Sequence, residues 1–219
     1  MNALFPTLLA LAWLSHFPSG DHVIAKLAAA RAGQPALHIE AALSAAAPDA
    51  PTRLLIDLHP ELGMRVADDR GGRWVSQRGH LVAGSTVPAP AWFPDLEVLA
   101  LRHESDLRAW LGAQGIDASA NELARCGESD CYVLGTRQSL AQLWVDRRAL
   151  EVRRVVLPGR GPLDLEEWQL FDRTRFPARI EVSAEGATAT LAVESVRPAA
   201  ALVSADFSSV WVEAASVVP

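Results

Sequence analysis

Long apolar runs, cysteines and clustered positive charge are all scarce in this chain, and each scarcity removes a class of protein. The 219 residues carry a net charge of −6, and the basic ones are scattered without a stripe that interleaves with aromatics. Nucleic acid is therefore not an expected partner, because such surfaces are basic. The opening is apolar from Leu4 to Leu14, but as a helix that stretch would span only ~16 Å against ~30 Å of hydrocarbon. No integral membrane span is expected. With two cysteines in all and no second Cys/His pair at a zinc spacing, no metal site is expected either.

Signatures of catalysis are missing as well. None of His16, His22, His38, His59, His80 and His103 forms H-E-x-x-H, and there is no G-x-S-x-G elbow, phosphate loop or dinucleotide fingerprint. His38-x-Glu40 and His59-x-Glu61 each put two polar groups on one strand face without a third ligand. Glu166 and Glu167 are adjacent, so on a strand they point to opposite faces and cannot share a substrate. Gly159-Arg160-Gly161-Pro162 is a poor phosphate cradle, since Pro162 has no backbone donor. No catalytic residue and no cofactor is expected; a hydrolase assembled from distant residues is the third-ranked reading.

What is there is a globular composition, 50% hydrophobic and 21% charged, and a repeated alternation. QLWVD sets Leu143 and Val145 against Trp144, LEVRR sets Leu150 and Val152 against Glu151 and Arg153, and EWQLF sets Trp168 and Leu170 against Gln169. ARIEV offers Ile180 and Val182, and TLAVESV offers Leu191 and Val193. Turns are expected at 158–162, at Phe176-Pro177 and at Glu185-Gly186. Short turns between alternating strands give antiparallel neighbours. Upstream, strands are expected over 37–43, 53–58, 64–68 and 73–77, after a helix capped by Asp21 and running to about Ala32, on whose apolar stripe Val23, Ile24, Leu27 and Arg31 fall. From Asp95 the period changes: Leu96, Leu99, His103, Leu107, Trp110 and Leu111 recur at threes and fours, a helical insertion between strands. Mostly antiparallel strands with few helices give a mainly β, α+β class: a curved sheet with helices covering one face.

Cys126 and Cys131 flank four residues between two strands. Facing residues of an antiparallel pair lie within disulfide range, so a small-loop disulfide formed in an oxidising compartment is expected, with two free thiols as the alternative. The apolar opening fits the core of a signal peptide ending near Gly20, although no Lys or Arg precedes it and no A-x-A site follows; a short buried segment is the alternative. The expected division is a signal peptide over 1–20 and one domain over 21–219.

Trp144-Val145-Asp146, the basic strand Val152-Arg153-Arg154, Phe176-Pro177 and the late pair Asp206-Phe207 follow one another in an order and spacing that resembles the LolA-like outer-membrane lipoprotein-sorting family. The resemblance covers the last third well and the middle loosely. It implies an unclosed β-barrel whose concave side is capped by helices. A periplasmic, monomeric, non-catalytic carrier or sensor is then expected, its partners the acyl chains of a lipid or lipoprotein. Alternation, not the resemblance, supplies the expected cavity lining: Leu143, Val145, Leu150, Val152, Trp168, Leu170, Ile180, Val182, Leu191 and Val193, with Trp110 from the helical cover. Seven tryptophans against one tyrosine fit either a core or such a lining. The rival reading is an envelope scaffold that uses the same fold to meet a protein partner.

Overall fold

The computed structural model describes residues 18–214 except Ala46, Pro48, Val87, Glu185 and Ala200. The signal-peptide expectation falls almost wholly on residues 1–17, outside the described ones.

Twelve antiparallel strands form one sheet: β1 (Leu37–Ala45), β2 (Arg53–His59), β3 (Gly63–Asp68), β4 (Arg73–Gln77), β5 (His80–Gly84), β6 (Asn121–Cys126), β7 (Ser129–Leu134), β8 (Gln142–Asp146), β9 (Val152–Val156), β10 (Leu163–Phe171), β11 (Thr174–Ala184) and β12 (Ala187–Pro198). Their order across the sheet is β5-β4-β3-β2-β1-β12-β11-β10-β9-β8-β7-β6. Two hairpin meanders are thus joined at the centre by the pairing of β1 with β12, from Leu37 opposite Pro198 to Ala45 opposite Ala189. The outer strands β5 and β6 do not pair with each other, so the sheet is an unclosed barrel.

Topology also fixes where the cover must lie. The connection from β5 to β6 runs between the two opposite edges of the sheet. It carries the proline-rich stretch, a 3-10 turn (Glu97–Leu99) and helix α2 (Glu104–Ala113). Helix α1 (Gly20–Arg31) packs beside α2. Its N-cap is Ser19, whose side chain accepts the His22 N–H, rather than Asp21. Leu96, Val98, Leu99, Leu107, Trp110 and Leu111 from the connection share one buried apolar cluster with Val23, Ile24 and Leu27 of α1 and with the inward residues of the strands. Burial of that shared face is the main force holding cover to sheet.

The last described segment, a 3-10 turn (Ser204–Phe207) and helix α3 (Ser209–Glu213), lies on β3–β5. Arg65, whose strand neighbours Met64 and Val66 belong to the inner cluster, pairs with Asp206 at 3.3 Å. Gln77 donates to the Phe207 carbonyl and Arg73 to that of Trp211. The Asp206-Phe207 pair thereby fastens the 204–213 segment to the outer face.

Cys126 and Cys131 are disulfide-bonded. They are diagonal rather than facing: Cys126 stands opposite Ser129 and Cys131 opposite Ala124. The hairpin loop is shorter than expected, Gly127-Glu128, and the Cα atoms are 5.8 Å apart, within the ordinary disulfide range.

Candidate functional site

Alternation places most of the expected lining residues on the buried face; Leu150, Trp168 and Leu170 fall outside it, the first two lining a cleft at its edge. Leu143, Val145, Val152, Ile180, Val182, Leu191 and Val193 are buried in the inner cluster, together with Trp110 from α2. Leu150 is not on a strand: it occupies the β8–β9 turn with φ +55. Leu170 is 64% exposed and points away from the interior. Trp168 is only half-buried, packed against the cluster's margin. The cause is local. β10 begins at Leu163, so Leu163 and Leu165 are its inward residues, and Glu167 at φ +52 interrupts the alternation before Trp168. The Phe176-Pro177 turn is likewise displaced. Trp168 pairs with Pro177 within the ladder, and the chain reverses at Asp172-Arg173 instead, with Asp172 at φ +51. Pro177 is tolerated because the β11–β12 ladder starts only at Arg179, where a missing N–H costs no second bond.

Side chains of the described residues fill the middle of the cavity that alternation leads one to expect. Leu96, Leu107, Trp110, Val145 and Val152 are all fully buried against one another's cluster, so the middle of the concave face is packed. Open space lies instead in two clefts along the seam where cover meets β9–β11. One, of about 440 Å³, is lined by Pro88 and Phe93 of the connection and by Val155, Leu157, Leu163 and Val182. The other, of about 410 Å³, is lined by Arg31, Leu99, Glu151, Trp168, Arg175 and Phe176, among others. Leu163 and Trp168 are five residues apart on β10, so the clefts sit at opposite ends of the same strands, roughly 17 Å apart. A larger groove of about 570 Å³, with Trp144, Arg154 and Asp164 among its walls, is a poorer candidate. Its central pair is already satisfied, Arg154 bonding both Asp164 oxygens and lying 5.8 Å over the Trp144 ring.

Polar ties fasten the cover to neighbouring strand turns and join its parts to one another. The Glu97 carboxylate accepts the N–H groups of Arg78 and Gly79 in the β4–β5 turn, at 2.5 and 2.6 Å. Arg102 pairs with Glu61 at 2.7 Å, Arg160 with Asp95 at 3.6 Å, and Arg108 of α2 with Asp21 of α1. Arg31 donates to the Val98 carbonyl. Burial pushes the Glu97 carboxyl up to about 7, and it raises Asp95 as well, against the pull of Arg160. Asp95 Oδ1 is buried with no hydrogen-bond partner. Arg31, by contrast, lay in plain view in the sequence: a cation on the apolar stripe of an amphipathic helix.

Among the described residues no group of three or more His, Cys, Asp or Glu is placed to hold a metal ion, and no helix is long and apolar enough to cross a membrane.

An open twelve-stranded sheet with helices across its concave side is a LolA-like fold, and comparison with solved structures agrees. A LolA superfamily protein from Nitrosomonas europaea superposes with a TM-score of 0.54 at 14% identity, over 88% of this chain and 98% of its own. A DUF1329 family protein from Desulfovibrio piger gives 0.47 at 13% identity, over 86% and 95%. An outer membrane lipoprotein-sorting protein domain from Vibrio parahaemolyticus gives 0.40 at 10%, over 87% and 97%. No family model and no curated protein matches the chain.

Proposed function

We propose that this protein is a non-catalytic carrier or sensor of the bacterial envelope, residing in the periplasm and binding acyl chains of a lipid or lipoprotein. The observation that carries the reading is the seam between cover and sheet: a buried apolar cluster with an open cleft at each end and charged groups beside each cleft. An acyl chain would enter at a cleft and take the place of side chains now packed between β9–β11 and the 96–99 stretch. Each CH₂ transferred from water contributes about 0.8 kcal/mol, so a long chain offsets the loss of cover-to-sheet packing and of rim bonds worth about 1 kcal/mol each. The disulfide supports an oxidising compartment, and the LolA-like fold supports a carrier.

The packed middle of the concave face favours a second reading, in which the fold is a scaffold for a protein partner and no lipid enters. Native mass spectrometry of protein purified from a bacterial periplasm, followed by titration with a fluorescent fatty acid, separates the two. Co-purifying acyl species or saturable probe uptake is the expected result. A protein that is empty and indifferent to the probe leaves the scaffold alone.

A further inference from the structure

We infer that the cleft around Arg31 is an anion-binding subsite, built to take the phosphate or carboxylate headgroup of an amphiphile whose chain runs along the seam toward the Pro88 cleft. This rests on the acyl-binding reading for the chain, though not for the headgroup.

Arg31 ends helix α1 and is 8% exposed. Among the described residues its side chain makes one hydrogen bond, from a terminal nitrogen to the Val98 carbonyl, and no carboxylate pairs with it. Burial lowers its pKa to about 10, which still leaves it cationic at neutral pH. A buried charge without a counter-ion costs several kcal/mol, and in this chain there was ample acid to supply one: the net charge is −6. The cleft instead gathers more cations. Arg31, Arg173 and Arg175 line it against Glu151 alone, three positive groups to one negative. Glu151 is already engaged by Arg175 and by Arg153 at 2.9 Å. Arg173 has no ion-pair partner among the described residues. One buried and one rim guanidinium are therefore free of carboxylates at the same opening, and guanidinium donors suit phosphate and carboxylate oxygens.

The flanking walls fit the other half of an amphiphile. Leu99, Trp168 and Phe176 line the same cleft, and the apolar seam begins there. The other cleft carries no excess of cations: its one carboxylate, the buried Asp95, is paired with its one guanidinium, Arg160. The two ends of the seam are thus chemically unlike, and the anionic head is directed to the Arg31 end.

Isothermal titration of the whole protein with dodecyl phosphate, dodecanoate, dodecyl maltoside and inorganic phosphate, each monomeric in solution, tests this. Dodecyl phosphate and dodecanoate should bind about tenfold or more tighter than dodecyl maltoside, as charge-assisted bonds to a desolvated guanidinium require. Arg31→Gln should remove that preference. Because it also cuts the tie to Val98, Arg173→Glu at the rim serves as the second variant. It should weaken dodecyl phosphate about fivefold and leave dodecyl maltoside unchanged. Equal affinity for charged and neutral chains, or a preference indifferent to both variants, overturns the subsite while the acyl reading stands. Binding of inorganic phosphate as tight as dodecyl phosphate, lost in both variants and without any uptake of dodecyl maltoside, upholds the anion site and overturns its coupling to an acyl chain.

Discussion

Glu97 and Gly79 are joined by a 2.6 Å bond from the Gly79 amide to a carboxylate oxygen, and that carboxylate is only 2% exposed. The bond ties the covering connection to the β4–β5 turn, and the burial makes it sensitive to pH. Desolvation raises the Glu97 carboxyl from 4.5 to about 7, with the Asp95 charge adding to the effect and the two N–H groups opposing it. A raised carboxyl means the folded state holds more protons than the unfolded one between those values. Stability should therefore fall as pH rises from 4.5 to 7, by an amount on the order of 3 kcal/mol, and the full cost is present above pH 7. Asp95, also raised, acts in the same direction. His59 acts in the other, its pKa lowered chiefly by burial, so its contribution is lost as pH drops below 6.5. Urea unfolding of the native chain and of Glu97→Gln at pH 5 and pH 7.5 separates the two, because His59 is common to both. The variant should show the shallower pH dependence; equal slopes would mean Glu97 titrates normally.

On the outer face, Arg65 is the centre of the clamp on the C-terminal segment. It bonds Asp57 at 2.7 Å and Asp206 at 3.3 Å. Its guanidinium lies 4.9 Å from the Trp211 ring and 5.8 Å from that of Phe207. Replacing it with alanine should cost about 2 kcal/mol, the scale of charge-assisted bonds plus a stacked cation. Amides of 204–213 should exchange faster while those of β1 and β12 do not. Lysine should restore less than half, since an ammonium cannot serve two carboxylates and two rings in one plane.

Much of this fold is legible from side-chain parity, and the failures share one cause. Parity locates β1–β4, β8, β11 and β12, and the three-and-four spacing from Leu96 to Leu111 locates the cover. It fails where the backbone leaves the extended region without a glycine to announce it: at Leu150, Glu167 and Asp172, all with positive φ. It also fails where β8 and β9 slip register between Trp144 and Val145, which turns both Val152 and Val155 inward. The joining of β1 to β12 is a contact between chain regions some 150 residues apart, and nothing local encodes it. Whether the concave face is full or empty depends on how side chains from nine or more elements mesh, so alternation names candidates for the interior and leaves its packing unread.

The disulfide closes a small loop, Cys126 to Cys131, with a separation of 5. Loop-closure entropy for so few residues predicts about 2 kcal/mol. The double variant Cys126→Ser/Cys131→Ser should lose that much in a denaturant titration, and the native chain should lose the same in reductant. Absence of any reductant effect, together with two titratable thiols in the untreated protein, would remove the compartment argument that the pairing supports.

Helix α1 offers the sharpest check on how the cover is seated. Gly20 opens the helix, and a Cβ added there would lie 1.8 Å from the Ala118 carbonyl oxygen and 3.3 Å from a Leu134 methyl. Two effects compete in Gly20→Ala. Helix propensity alone favours alanine by about 1 kcal/mol. The clash is with backbone, which cannot swing aside, and overpacking of that kind costs about 1–3 kcal/mol. A separation of 1.8 Å is far inside any van der Waals contact, so the cost wins and the start of α1 must shift away from the segment before β6. Thermal unfolding should show a lower midpoint, and hydrogen exchange should report loosened α1 amides ahead of the sheet. Gly33→Ala is the matched control. It sits just past the same helix, has nothing within 4 Å of the added methyl, and should be neutral or slightly stabilising. If Gly20→Ala instead behaves like Gly33→Ala, α1 does not rest on Ala118, and the rim contacts that hold it over the sheet lose their anchor.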